Sequence, residues 1–143
     1  MVIKLKGPLP QKTIKSQPLN MEDTFTSADS NINDVPHEAC GIVGIYAPKE
    51  EEVARSVFFG LYALQHRGQE SAGISTSDGS QIYTHTEMGL VGQGFQEYDL
   101  SRLPGHISIG HTRYSTMGSS NIDNAQPIIS KGINVEIALG HNG

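Results

Sequence analysis

Glycine and proline usage changes at residue 40. Fifteen of the sixteen glycines lie at or beyond it, and four of the seven prolines precede it. Residues 1–39 hold one aromatic side chain, Phe25, and show neither helical nor alternating apolar periodicity. Lys4, Lys6, Lys12 and Lys15 come first, then Glu22, Asp23, Asp29, Asp34 and Glu38. Such a segment buries too little apolar surface to offset its chain entropy. Residues 1–39 therefore read as a disordered leader or propeptide, and 40–143 as the folded unit. No apolar core of signal length follows the lysines, and the leader has no arginine, so neither a secretory signal nor a transit peptide fits. The expected location is the cytoplasm.

Beyond the break, short apolar runs alternate with turn residues. Cys40-Gly41-Ile42-Val43-Gly44-Ile45-Tyr46 reads as a buried strand ended by Pro48. Glu50, Glu51 and Glu52 suit the first turn of a helix, whose dipole favours anions there. Val53, Val57, Leu61 and Leu64 then recur at helical spacing, with Phe58 widening the face and Gly68 just past the end. Residues 74–76 and 81–84 read as a hairpin around Asp78-Gly79. Residues 106–111 and 133–139 alternate like half-buried strands, with a polar loop from Gly118 to Pro127 between them. Strands outnumber helices, which predicts an α+β fold with largely antiparallel sheets.

Several chemistries are excluded at this point. A net charge of -5 with ten Lys+Arg suits no protein that tracks a phosphate backbone. No apolar run is long enough for a membrane helix. One cysteine allows neither an internal disulfide nor a Cys-rich zinc site. The histidines at 37, 66, 85, 106, 111 and 141 show no H-E-x-x-H pair, so no metal site is expected. Gly89-Leu90-Val91-Gly92-Gln93-Gly94 lacks both the dinucleotide fingerprint and a Walker lysine, and reads as a turn.

What remains centres on Cys40. A lone cysteine is commonly a small buried hydrophobe. This one stands at the junction of leader and first strand. Cleavage after Ala39 would give Cys40 a free α-amino group, with a reference pKa of roughly 7.7–8.0, able to act as general base for its own thiol. Asn142-Gly143 offers a side-chain NH2 and a backbone N–H to a developing oxyanion, though the same dipeptide also serves as a tight turn. Arg113, at the end of a strand, could grip a carboxylate with its planar fork, or be a solvated surface charge.

Four runs together resemble the class II glutamine amidotransferase domain of the N-terminal nucleophile hydrolases. They are Cys40-Gly41-Ile42-Val43-Gly44-Ile45, the run 64–74 that opens Leu64-Gln65-His66-Arg67-Gly68-Gln69-Glu70, Gly110-His111-Thr112-Arg113-Tyr114-Ser115-Thr116, and Gly140-His141-Asn142-Gly143. The resemblance covers Cys40 to the last residue. Glucosamine-6-phosphate synthases usually read Arg-Gly-Tyr-Asp where this chain has Arg67-Gly68-Gln69-Glu70, and asparagine synthetases read Arg-Gly-Pro-Asp. The forms found here look like the branch that converts phosphoribosyl pyrophosphate to 5-phosphoribosylamine, the first step of de novo purine (IMP) synthesis.

The resemblance implies a four-layer αββα sandwich with antiparallel sheets, truncated in this chain. It implies Cys40 as the nucleophile, Asn142 and Gly143 as the oxyanion hole, and Arg113 with Thr116 as the pocket for the glutamine α-carboxylate. His66 and Arg67 would support the site. L-glutamine would be hydrolysed here and the ammonia passed to a phosphoribosyltransferase domain. No cofactor is expected within the chain; Mg2+ would serve the other domain, and a 4Fe–4S cluster would take its cysteines from elsewhere. The full-length enzyme would be a homo-oligomer that binds neither nucleic acid nor membrane. The alternatives are another class II amidotransferase such as glucosamine-6-phosphate synthase, or a non-catalytic glutamine-binding domain. On this reading the chain is a fragment, inactive alone, with edges of strands 41–46, 106–113 and 133–139 left unpaired.

Overall fold

The structure, a computed structural model, describes residues 1–6, 40–49, 52–114 and 121–142. In chain order the elements are β1 (Val2–Lys6), β2 (Gly41–Tyr46), α1 (Ala54–Ala63), β3 (Ser71–Ser77), β4 (Ile82–Met88), α2 (Val91–Gly94), α3 (Glu97–Ser101), β5 (Ile107–Arg113), β6 (Ile128–Lys131) and β7 (Val135–Leu139). Single 3-10 turns follow α1 at Gln65–Arg67 and precede β6 at Ile122–Asn124.

The strands form two antiparallel sheets, one ordered β2-β5-β3-β4 and the other β1-β7-β6. Strand periodicity sends alternate residues of β5 to opposite faces. Gly110 faces α1: an added Cβ would lie 2.5 Å from Val57 Cγ1 and 2.7 Å from Leu61 Cδ1. Ile109 faces the other way, where it packs with Ile3, Ile82 and Ala138 between the two sheets. Val57 and Leu61 are completely buried on the α1 side, with Ile74, Val91, Phe95, Leu100 and Leu103. The described residues thus stack as helix, four-stranded sheet and three-stranded sheet. Each fully buried aliphatic side chain in these two cores contributes about 1.5–3 kcal/mol.

The mixed fold with antiparallel sheets agrees with the sequence reading. The hairpin is longer than expected, running from Ser71 to Met88, with Ser77 paired to Ile82. Gly79 supplies the positive φ of 94° that its turn needs. Asp78 Oδ1 accepts from the Ser80 and Gln81 N–H groups and from the Ser80 hydroxyl, bonds that hold its carboxyl well below the usual range. The glycine-rich run forms Gly89, with φ of 92°, and the single turn α2.

Four expectations need correction. The first concerns the leader. Val2–Lys6 is a strand, paired antiparallel with β7 from Val2↔Leu139 to Lys6↔Val135. Its sequence signal, Ile3-Lys4-Leu5-Lys6, is too short to stand out, and the edge of β7 supplies the missing partner. The rest of the leader, 7–39, lies outside the described residues. The second concerns edges: among the described residues β5 and β7 are interior strands, and of the three β2 alone lies at a sheet edge. The third concerns the start of α1. Glu50 and Glu51 lie outside the described residues, and Glu52 precedes the helix, bridging to Gly105. The fourth is Gly68, which has an extended φ of -152° instead of a left-handed cap. A Cβ there would lie 2.7 Å from the Thr112 carbonyl carbon and 2.8 Å from that of Arg113, so glycine lets the segment close onto the end of β5.

Candidate active site

The site forms where β5 ends. Gly41 N–H donates to Thr112 Oγ1 at 3.1 Å, which seats the start of β2. A Cβ at Gly41 would lie 2.7 Å from that oxygen and 3.0 Å from Leu64 Cβ, so only glycine admits this approach. Cys40 is thereby placed beside the strand end, half-buried, with Sγ 3.9 Å from the Tyr114 carbonyl oxygen. Cys40, Gly41, Ile42, Leu64, Arg67 and Asn142 line one open cavity of about 310 Å³.

Asn142 reaches this cavity because the preceding residue is held at both main-chain atoms. Gln126 Oε1 accepts from His141 N–H at 2.7 Å, and His111 Nε2 lies 2.9 Å from the His141 carbonyl oxygen. A carbonyl only accepts, so Nε2 carries the ring proton. His111 is completely buried. Burial lowers its pKa from the ordinary 6.5, and Arg113 and His141 push the same way, while the bond to His141 opposes them.

Arg113 is the last residue of β5 and is largely buried. Its Nη1 lies 3.4 Å from Glu70 Oε1. Glu70 N–H donates to the Arg113 carbonyl oxygen at 3.1 Å, so main chain and side chain meet at the same pair.

No family model matches the chain. The amidophosphoribosyltransferase of Synechocystis sp. is 57% identical over 110 residues, covering 77% of this chain and 22% of the relative. That of Mycobacterium tuberculosis (strain ATCC 25618 / H37Rv) is 50% identical over 109 residues, covering 76% and 20%. Over about three quarters of its length the chain is homologous to amidophosphoribosyltransferases. It spans about a fifth of the length of these curated relatives. Among solved structures, the B. subtilis glutamine phosphoribosylpyrophosphate amidotransferase complexed with ADP and GMP is 39% identical, with a TM-score of 0.57 over 65% of this chain and 19% of its own. An allosteric regulatory enzyme of purine biosynthesis is 40% identical, with a TM-score of 0.60 over 65% of this chain and 20% of its own.

Cys40, Arg67 and Asn142 share the cavity. Arg113 stands at the strand end next to Tyr114, whose carbonyl faces the thiol. His66 is exposed, with Nδ1 3.1 Å from the Ala63 carbonyl oxygen at the end of α1, and is not among the residues lining the cavity. Gly143 and Thr116 lie outside the described residues. Sequence reasoning passed over His111, Gln126 and Glu70. His111 and Glu70 sit inside two of the four runs, but only the fold shows what they hold. Among the described residues no group of three or more His, Cys, Asp or Glu could hold a metal, and no helix is long and apolar enough to cross a membrane.

Proposed function

We propose that residues 40–143 are the first part of the glutamine-hydrolysing half of an amidophosphoribosyltransferase. The observation that carries this reading is the convergence of Cys40, Arg67 and Asn142 on one cavity, with Arg113 at its strand end. In this mechanism, removal of 1–39 leaves Cys40 with a free α-amine. The amine takes the thiol proton as sulfur attacks the side-chain amide carbon of glutamine. Asn142 Nδ2 and the Gly143 N–H stabilise the oxyanion. The C–N bond breaks, the proton passes to the leaving nitrogen, and ammonia departs. Water then hydrolyses the glutamyl thioester to glutamate and restores the thiol. Arg113 and Thr116 hold the substrate α-carboxylate, and Arg67 with His66 supports the site.

The full architecture is then the αββα sandwich. The stack of α1 on two facing antiparallel sheets supports this reading. Ammonia would pass to a phosphoribosyltransferase domain and displace pyrophosphate from phosphoribosyl pyrophosphate. Mg2+ belongs to that domain. A 4Fe–4S cluster takes four cysteine thiolates, and this chain has one cysteine, so any such cluster is held elsewhere. Cytoplasmic location and homo-oligomeric assembly rest on the resemblance alone.

The test uses the whole enzyme. Intact mass should show a mature chain beginning at Cys40, and Cys40→Ala should abolish glutamine-dependent synthesis while activity with added ammonia persists. Full glutamine-dependent activity in either Cys40→Ala or a protein retaining residues 1–39 would refute the mechanism.

A further inference from the structure

We infer that Glu70 is a positioning residue that holds Arg113 ready for the substrate carboxylate, an inference that rests on the reading of Arg113 given above. Glu70 immediately precedes β3, and Arg113 ends β5, the neighbouring strand. Their placement follows from the register, in which Ser71 pairs with Arg113. Glu70 itself is fixed on both sides of its peptide. Its N–H donates to the Arg113 carbonyl oxygen at 3.1 Å, and its carbonyl accepts from Gly89 N–H at 2.7 Å. Neither partner can drift without breaking the sheet's end.

The side chains are as constrained as the backbone. Those of Glu70 and Arg113 keep 10% and 13% of their exposure. Both carboxylate oxygens of Glu70 are buried, and among the described residues neither has a hydrogen-bond partner. A buried carboxylate in that state is costly unless an opposite charge stands beside it. Arg113 Nη1, at 3.4 Å from Oε1, supplies that charge. The separation is longer than a good charged hydrogen bond, so the attraction orients the guanidinium without taking a tight bidentate grip.

The consequence concerns binding. A free arginine side chain loses much rotamer freedom when it grips a carboxylate. One already held in place loses less, and that difference appears as affinity. Glu70 acts on glutamine through Arg113, so its removal should change KM and leave the chemical step alone.

The experiment is a double-mutant cycle in the whole enzyme, with glutamine KM and kcat and ammonia-dependent activity measured for each variant. Glu70→Gln keeps the shape and removes the charge. It should raise glutamine KM about fivefold, with kcat and the ammonia reaction within about twofold of the parent. Glu70→Asp, which retains the charge on a shorter arm, should recover part of the loss, and it also covers the case in which Glu70→Gln folds poorly. In an Arg113→Ala background, Glu70→Gln should have no further effect on KM. An unchanged or lowered KM in Glu70→Gln, or an undiminished effect in the Arg113→Ala background, would overturn the inference. An Arg113→Ala enzyme with unchanged KM would instead overturn the reading of Arg113 on which it stands.

Discussion

His111 Nε2 lies 2.9 Å from the main-chain oxygen of His141, across the gap between a central strand of one sheet and the end of β7 in the other. Gln126 holds the N–H of the same residue at 2.7 Å. Asn142 follows directly, so its position at the cavity depends on these two contacts. His111→Asn should shorten the reach and release the His141 carbonyl. The expected result is a fall in glutamine-dependent kcat of about tenfold, below the loss from removing an oxyanion donor itself. Ammonia-dependent activity should be unchanged. Steady-state kinetics with both nitrogen sources would check this; an unaltered kcat would show that the clamp does not set the oxyanion geometry.

The same histidine predicts a pH dependence. Its native pKa is held below 6.5 chiefly by burial. As pH falls below about 6.5 the unfolded chain takes up a proton that native His111 does not. The stability tied to neutral His111 is therefore complete above that pH and declines as pH falls toward the native pKa. Thermal melts between pH 7 and 5 should show a falling Tm, and His111→Asn should flatten the decline.

Arg113 should govern substrate affinity. A charged hydrogen bond in a largely desolvated site is worth about 1.5–3 kcal/mol. Arg113→Ala should raise glutamine KM by at least about tenfold. Arg113→Lys should restore only part of this, because an ammonium cannot present the planar fork. Saturation curves with glutamine measure both effects.

Gly68→Ala should damage the site without touching any reacting group. The new methyl carbon would meet backbone atoms of Thr112 and Arg113 at 2.7 and 2.8 Å, which cannot rotate away. Relief requires moving either the 3-10 turn that carries Arg67 or the end of β5. We expect a loss of about 1–3 kcal/mol in stability, as for other overpacked positions, with a raised glutamine KM. Denaturant titration and kinetics on the same sample would test the pair of effects.

β1 should protect β7. The five registered pairs from Val2↔Leu139 to Lys6↔Val135 cover one edge of that strand, and β6 covers the other. Deleting residues 1–6 should speed amide exchange in 135–139 more than in β5, whose backbone stays enclosed by β2 and β3 although Ile109 loses its contact with Ile3. Hydrogen-exchange mass spectrometry of the unprocessed protein reads this directly.

Local pattern determined much of this protein. The run 41–46, the helical recurrence of Val57 and Leu61, and the Asp78-Gly79 turn carry their own conformational preferences, so their elements were legible residue by residue. Cys40, Arg113 and Asn142 could be singled out as candidates from the sequence, because few side chains suit that chemistry, but that Cys40 and Asn142 line one cavity is a matter of the fold. Tertiary structure decided the rest. Val2–Lys6 has too short an alternation to declare a strand and becomes one only against the edge of β7. Gly68 looks like a helix cap in one dimension and is in fact a point of close approach to β5, visible only when both segments are in place. Glu70, His111 and Gln126 acquire their roles from partners 43, 30 and 15 positions away in sequence. Pairing at those separations is set by strand register and sheet packing, which arise from the whole core and from no single stretch of chain.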